Sequence, residues 1–485
     1  MYVIYTFLFL FCHLLLLYFH MNYKDFFRGK KILMMGLGIL GRGVNVAKFL
    51  SECGAELTIT DLKTAEQLTS SLKKLSKFTN IKYVLGRHDL ADFQNKDMVI
   101  KAAGVPLDSP YITEARKNNI KVEMDASLFA SLVGHSVSNI NVSTWTLNVQ
   151  VVGITGTRGK STVTHLIYEI LKASGRRVFL GGNVRGLATL PLLKKVKPDD
   201  IVVMELDSWQ LQGFEEAKTS PNIAVFTTFL PDHQNYYKND MDKYFSDKAN
   251  IYRWQKEGDW FIAGPRTAKI IKEKNKKGVN GQMIIADKKN IPRGCKVKLL
   301  GEHNLENVAL AIEVIRKIGV KESAIKKAVE SFKGLPGRLE FVKEAKGVKY
   351  YNDTTATTSE AVMVALDSLP PHRRASKENR GKIILIGGGA DKNLEYNEYA
   401  KVVKEYIKAL ILFRGLATDK IVQALGKTKF PIEIVDSMKK AMEIARANAK
   451  KGDIVLLSPG AASFGVFKNE FDRGEQFNKL VKKLK

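Results

Sequence analysis

Residues 153–162 read Gly-Ile-Thr-Gly-Thr-Arg-Gly-Lys-Ser-Thr and combine the residue types that hold a nucleotide's phosphates. Glycines let backbone N–H groups approach phosphate oxygens. A lysine after the last glycine reaches the β- and γ-phosphates, and the following hydroxyl can sit on Mg²⁺. The spacing is GxxGxxGKST, because position 154 is Ile where the strict phosphate-loop pattern has glycine. Gly156, Thr157, Arg158, Gly159, Lys160, Ser161 and Thr162 are the candidate ATP ligands. Further along, the apolar run 201–204 ends at Glu205, and an acid at the carboxyl end of a strand can hold Mg²⁺. Asp232-His233, Lys248, His303-Asn304, Gly334-Leu-Pro-Gly-Arg338 and Asn352-Asp353 follow in that order. Singly, each of these reads equally well as a structural turn. Their order is the signal.

These groups need elements to position them. Val151-Val152 predicts the end of a buried strand, and apolar residues at 163, 166, 167, 170 and 171 predict a helix running to about Ala173. That helix would start at the loop and add the partial positive charge of its N-terminus. A similar unit lies upstream: the strand 32–35 runs into Gly36-Leu-Gly38-Ile39-Leu40-Gly41, and a second strand ends at Asp61. Alone, this is the dinucleotide fingerprint of a dehydrogenase. The competing account is that the turn holds another nucleotide's phosphates, and the ATP cradle downstream favours it. A third unit alternates strands at 382–386, 409–413 and 453–457 with helical stretches. The expectation is an α/β chain of three domains with parallel sheets and ligands at the carboxyl strand ends. The first, Rossmann-like, covers 22–133; the second is a P-loop ATPase-type domain at 151–334; the third, again Rossmann-like, covers 335–485. Residues 134–150, rich in Ser and Asn, read as a linker or insertion.

At 485 residues the chain is too long for one core. Its three cysteines, Cys12, Cys53 and Cys295, lie far apart with no metal-ligand spacing, which predicts a reducing, cytoplasmic compartment and no disulfide framework. The formal charge of +27 raises the question of nucleic acid, but the lysines are spread along the chain. Even the densest run, residues 266–298, with eleven Lys/Arg against two acids, reads as a solvated surface. A basic protein that handles polyanionic small molecules is expected, and no nucleic-acid partner. Residues 1–20 are almost wholly apolar and long enough to span a bilayer, with basic residues from Lys24 onward. Two accounts fit them: a membrane anchor that leaves the rest on the cytoplasmic side, or an upstream mis-start before Met21.

From about Lys30 to the C-terminus the chain resembles the Mur ligases, the ATP-dependent amide-forming enzymes of peptidoglycan precursor synthesis. The matching motifs are Gly-Leu-Gly at 36–38, the phosphate loop, Gly181-Gly182-Asn183, Glu205-Leu-Asp-Ser-Trp-Gln-Leu211, Asp232-His233, Lys248 and His303-Asn304. Gly334 to Arg338, Asn352-Asp353, Gly387 to Lys392, Leu457-Ser-Pro459 and Phe467-Lys-Asn469 complete the set. Within the family the resemblance is to the members that add D-glutamate to UDP-N-acetylmuramoyl-L-alanine. It implies that Gly38, Ile39, Leu40, Gly41 and Asp61 face the UDP-sugar. Lys160, Ser161, Glu205 and His233 would organise ATP and two Mg²⁺ ions. Lys248 would be carbamylated by CO₂ and serve as a further metal ligand. Asn183 would lie near the reacting carboxylate, Asn304, Arg338 and Asp353 would hold the nucleotide, and Thr357, Lys392, Ser463 and Phe464 would bind the amino acid. The family further implies a cytoplasmic monomer.

The resemblance departs from the family pattern where the amino acid should bind. Residues 352–358 read Asn-Asp-Thr-Thr-Ala-Thr-Thr, with Thr355 in place of the usual lysine. Gly337 replaces a histidine, Gly465 an acid and Glu470 an aromatic, while Arg158 stands for Asn in the phosphate loop. Two alternatives therefore stay open: a ligase adding L-glutamate or another amino acid to the same acceptor, and a homologue that binds the UDP-sugar without turnover.

Overall fold

A computed structural model describes residues 23–133, 147–275, 278–369 and 381–485. The apolar stretch 1–20 and positions 134–146 of the linker lie outside them. By contact density the chain divides into two compact units, 1–294 with 306–328 and 295–305 with 329–485. Among the described residues no helix is long and apolar enough to cross a membrane.

The first unit holds two sheets. Strands β1 (Lys31–Met35), β2 (Glu56–Asp61), β3 (Ile81–Leu85), β4 (Met98–Lys101) and β5 (Lys121–Glu123) pair in the order β3-β2-β1-β4-β5, parallel throughout. The second sheet contains β6 (Gln150–Thr155), β7 (Val178–Gly182), β8 (Ile201–Glu205), β9 (Ile223–Phe226), β10 (Trp260–Ala263) and β11 (Gln282–Ile285). Its order is β11-β10-β9-β6-β8-β7, again all parallel. Strands β4, β8 and β9 are buried along their whole length, as a parallel sheet covered on both faces requires. That is why their sequences are runs of Val, Ile and Met rather than alternations.

The second unit carries β12 (Glu340–Ala345), β13 (Val348–Asn352), β14 (Ile383–Gly388), β15 (Ile407–Phe413), β16 (Ile432–Val435) and β17 (Ile454–Leu457), in the order β12-β13-β17-β14-β15-β16. Five of its strands are mutually parallel. The edge strand β12 runs antiparallel to β13, a hairpin the helix-strand alternation did not predict, because Lys346-Gly347 turns the chain tightly with positive φ at both residues. The α/β class and the mainly parallel architecture hold in all three sheets.

The helices that matter below are α1 (Arg42–Glu52), α2 (Asp125–Val133), α3 (Lys160–Ala173), α4 (Ser208–Glu216), α5 (Met241–Arg253) and α6 (Glu470–Lys482). α1 and α3 each begin directly after a left-handed glycine, Gly41 and Gly159. Helix α4 is fixed by a capping box in which Asp207 and Gln210 satisfy each other's backbone N–H groups.

Candidate active site

The phosphate loop connects β6 to α3, at the carboxyl end of the central sheet. Gly159 has φ +87, and a Cβ there would meet Asn307 Oδ1 at 2.3 Å. Only glycine fits both the backbone conformation and the space. The loop is tied to β9: Thr157 N–H donates to Thr228 O at 2.7 Å and Arg158 N–H to Thr228 Oγ1 at 2.9 Å. The Thr157 hydroxyl donates to Leu230 O at 3.1 Å and lies 3.3 Å from the Tyr244 hydroxyl. Ser161 and Thr162 follow on the first turn of α3.

Glu205, the last residue of β8, is buried and sits opposite Ile154 in the register with β6. Lys248 on α5 is 1% exposed, and its Nζ donates to Gly156 O at 2.9 Å. Lys160 Nζ donates to the same carbonyl at 2.8 Å and to Thr157 O at 3.1 Å. Two lysine amines thus share one oxygen. Burial pushes the Lys248 amine well below the usual lysine range, and the Lys160 charge pushes it further. His233 has φ +54 and its ring packs on Trp209 with centroids 4.8 Å apart. Desolvation lowers its pKa, and the Lys248 and Lys160 charges add to that against Asp232. The imidazole is therefore kept neutral, the form in which it can ligate a metal.

Lys160, Ser161, Glu205, His233 and Lys248 thus all belong to the carboxyl end of the central sheet and the elements beside it. Among the described residues no three His, Cys, Asp or Glu side chains converge as a metal site. One carboxylate, one neutral imidazole and one hydroxyl suit a divalent ion whose other ligands are phosphate oxygens and water.

The first sheet presents its glycine turn in the same way. Asp61 is buried, and its carboxylate accepts three backbone N–H groups, from Leu37 and Gly38 at 2.9 Å and from Lys63 at 2.9 Å. It therefore shapes the turn that precedes α1. Ile39 and Leu40 stand exposed at the tip of that turn, Leu40 at 81%. Arg42, the first residue of α1, crosses to the central sheet: its Nη2 donates to Asn183 Oδ1 at 3.1 Å and its Nε to Leu187 O at 3.0 Å. The Asn183 backbone N–H bonds Glu205 O. Lys101, at the end of β4, is also buried and donates to Val105 O at 2.9 Å. Sequence reasoning passed over Arg42 and Lys101. The one available signal was that Arg42 directly follows the glycine turn.

The remaining candidates lie on the second unit. Asn304 Nδ2 donates to Leu300 O at 2.7 Å. Asp353 follows β13; Leu339 N–H and the Ser458 hydroxyl donate to its two oxygens at 3.0 and 2.9 Å. Burial raises its pKa to about 7, against those hydrogen bonds and the neighbouring Arg338 charge. Lys392 Nζ donates to Thr357 Oγ1 at 3.0 Å. Ser463 is buried and Phe464 is 65% exposed. Arg473 on α6, fully buried, donates from Nε to Thr354 Oγ1 at 3.1 Å, from Nη2 to Thr354 O at 2.9 Å and from Nη1 to Ala461 O at 3.4 Å. It joins the loops after β13 and β17 that carry Thr357 and Ser463, and no sequence motif marked it.

Three family descriptions match the chain: the MurD-like N-terminal domain over residues 30–123, the Mur ligase middle domain over 154–290, and the Mur ligase glutamate ligase domain over 337–460. The UDP-N-acetylmuramoylalanine–D-glutamate ligase of Roseiflexus sp. is 34% identical, over 93% of this chain and 98% of that protein. The enzyme of the same name from Borreliella afzelii is 35% identical, over 95% and 99%. In fold the chain is similar to the UDP-N-acetylmuramate–alanine ligase MurC of Thermotoga maritima, with a TM-score of 0.57 at 20% identity over 93% of this chain and 99% of that one. The MurF ligase of Thermotoga maritima in complex with ADP gives 0.57 at 18% identity, over 94% and 96%. A glycine cradle before a helix, a buried acid on the neighbouring strand of the sheet and this relationship along nearly the whole chain have one account: the chain belongs to the Mur ligase family.

Proposed function

We propose that this chain joins D-glutamate to UDP-N-acetylmuramoyl-L-alanine at the expense of ATP, releasing ADP and phosphate, as a step of peptidoglycan precursor synthesis. The observation that carries this reading is the identity of 34–35% with two D-glutamate ligases over nearly their full lengths. The side chains that the family resemblance assigns to catalysis are present in the sequence as well. In this reading the acceptor's carboxylate oxygen attacks the γ-phosphorus of ATP, the β,γ-bridging bond breaks, and an acyl phosphate forms. The amine of D-glutamate, unprotonated, then attacks the acyl carbon and phosphate leaves.

Lys160 can swing from the loop carbonyls onto the γ-phosphoryl group and neutralise its developing charge. Ser161, Glu205, the neutral His233 and Lys248 as its carbamate would hold two Mg²⁺ ions, which would neutralise the phosphate oxygens. Asn183 would hold the reacting carboxylate. Gly38, Ile39, Leu40 and Gly41 would line the UDP-sugar turn that Asp61 shapes from beneath. Asn304, Arg338 and Asp353 would serve the nucleotide. Thr357, Lys392, Ser463 and Phe464 would serve the amino acid.

A second reading, another amino acid on the same acceptor, is favoured by one observation. Thr355, where the family's lysine would stand, turns its hydroxyl and N–H onto Gly337 O at 3.0 and 3.1 Å, so no cation is offered there. Phosphate release with UDP-N-acetylmuramoyl-L-alanine, ATP and each amino acid in turn tests both readings. D-glutamate should give turnover at least tenfold above any other. Equal or faster release with L-glutamate or a neutral amino acid would select the second reading, and no release with any would refute both.

A further inference from the structure

Arg42 bridges the turn of the first sheet and the loop that follows β7 in the central sheet. Its guanidinium can only donate hydrogen bonds. The oxygen of the Asn183 side chain must therefore face Arg42, at 3.1 Å from Nη2, and the amide NH₂ must face the other way. The ambiguity that usually attends an asparagine amide is removed by its partner. The second bond, Arg42 Nε to Leu187 O at 3.0 Å, holds the guanidinium plane so that the fork cannot rotate off Asn183. The loop itself is pinned on its far side. Asp125, at the start of α2, accepts Thr189 N–H at 2.8 Å and Leu190 N–H at 2.7 Å, and Thr189 Oγ1 accepts Gly182 N–H at 2.8 Å. Asn183 N–H is held by Glu205 O. Backbone and side-chain oxygen are thus both fixed, and the two amide protons remain.

We infer that Arg42 is a positioning residue that fixes Asn183 as a hydrogen-bond donor toward the acceptor's reacting carboxyl group, and so couples the UDP-sugar turn to the acyl centre. The inference rests on the reading above that places Asn183 beside that carboxylate. An NH₂ aimed at an anionic oxygen stabilises the charge that builds as the acyl phosphate and the tetrahedral intermediate form. An asparagine free to flip would present its carbonyl oxygen part of the time and repel the same charge. Arg42 follows Gly41 directly, so settling of the nucleotide on the turn and orientation of the amide are linked through one side chain.

A double-mutant cycle tests this, with Arg42→Met, Asn183→Ala and the double variant, read as kcat and as KM for UDP-N-acetylmuramoyl-L-alanine and for ATP. Arg42→Met should lower kcat at least tenfold with KM for ATP unchanged. In the Asn183→Ala background it should lower kcat by less than twofold further. Arg42→Lys retains one donor, guards against a folding defect, and should keep more activity than the methionine variant, with thermal melts confirming the fold. Full additivity in the cycle would overturn the proposal and point to a direct contact between Arg42 and the substrate. Near-normal turnover in Asn183→Ala alone would instead sink the underlying reading of Asn183, so the two failures are distinguishable.

Discussion

Lys248→Ala is the perturbation that separates a catalytic lysine from a buried structural one. The side chain is 1% exposed and shares the Gly156 carbonyl with Lys160, at 2.9 and 2.8 Å. Were both amines protonated, the two charges on one oxygen would repel by about 3 kcal/mol at an effective dielectric constant near 20. Burial and this repulsion both favour the neutral amine, the only form that adds CO₂, giving R–NH–COO⁻ and a released proton. A carbamate would turn the repulsion into an attraction of similar size, a swing of about 6 kcal/mol at the same dielectric, and would add anionic oxygens to the one carboxylate of Glu205. Removing it should slow phosphate release at least ~10³-fold, equivalent to about 4 kcal/mol of barrier, while acetate or formate partly restores the alanine variant. A ¹³C-bicarbonate label should give the wild type a carbamate resonance that the variant lacks. The sign of the pH dependence follows from the depressed pKa. In CO₂-free buffer the unfolded chain binds the proton more tightly than the folded one, so the wild type gains stability as pH rises from the depressed value toward that of free lysine. The alanine variant should lack that gain. Full turnover of Lys248→Ala in bicarbonate-free buffer would refute the reasoning.

Three further perturbations follow from the geometry. Gly159→Ala forces alanine into φ +87 and a Cβ to 2.3 Å from Asn307 Oδ1; the backbone term alone is ~1–2 kcal/mol. The melting temperature should fall by a few degrees and ATP affinity at least tenfold in a nucleotide titration, and the added change Asn307→Ala should relieve the clash but not the backbone strain. Asp353 has its pKa raised to about 7 by burial, so between the ordinary aspartate value and about 7 the folded state holds a proton the unfolded state has lost. Its contribution to stability is present at low pH and is lost as pH rises through that window. Urea melts across the window should show the decline in the wild type, and Asp353→Asn should be flatter; an identical slope would remove Asp353 as the cause. Arg473→Met strands the carbonyls of Thr354 and Ala461 without their donor, at ~1–3 kcal/mol for each unsatisfied group. The denaturant midpoint should drop and KM for the amino acid should rise while KM for the acceptor stays put.

The strands were legible because parallel sheets buried on both faces demand unbroken β-branched runs. The run at 32–35 extends by one residue to Lys31 in β1, the run at 201–204 by one residue to Glu205 in β8, and that at 453–457 is β17 shortened by one. Glycine turns were legible because few other residues adopt the conformations that place phosphates against a helix N-terminus. The hairpin β12–β13 was not, since the segment after Arg338 carries no strand periodicity of its own. Arg42, Lys101 and Arg473 were hidden for a different reason. Arg42 and Arg473 act through carbonyls or an amide contributed from another part of the chain and Lys101 through the carbonyl of Val105 four residues on, and a basic residue bonded to backbone leaves no partner motif in the sequence. Asp61 was legible by position but incompletely by role: its distance from the glycine turn marks it, yet only the geometry shows that three backbone N–H groups already occupy its carboxylate.

Three of the departures from the family pattern, Thr355, Gly337 and Glu470, are connected in space. Thr355 bonds Gly337 O, and a Cβ at 337, where φ is +72, would press to 2.8 Å on Thr354 Cγ2. The Thr354 hydroxyl in turn donates to Glu470 O at 2.7 Å and accepts Arg473 Nε. The positions that replace the family's histidine, lysine and aromatic therefore meet through one threonine, in a network whose hydrogen bonds are satisfied. A set of independent losses would leave unsatisfied groups or a void; this network has compensating contacts instead. The phosphate loop, which carries the separate departure Arg158, lies on the other unit with Glu205, His233 and Lys248. In the reading proposed above, a change in this network would alter how the amino acid is gripped, with Lys392, bonded to Thr357 Oγ1, as the cationic contact for its carboxylate.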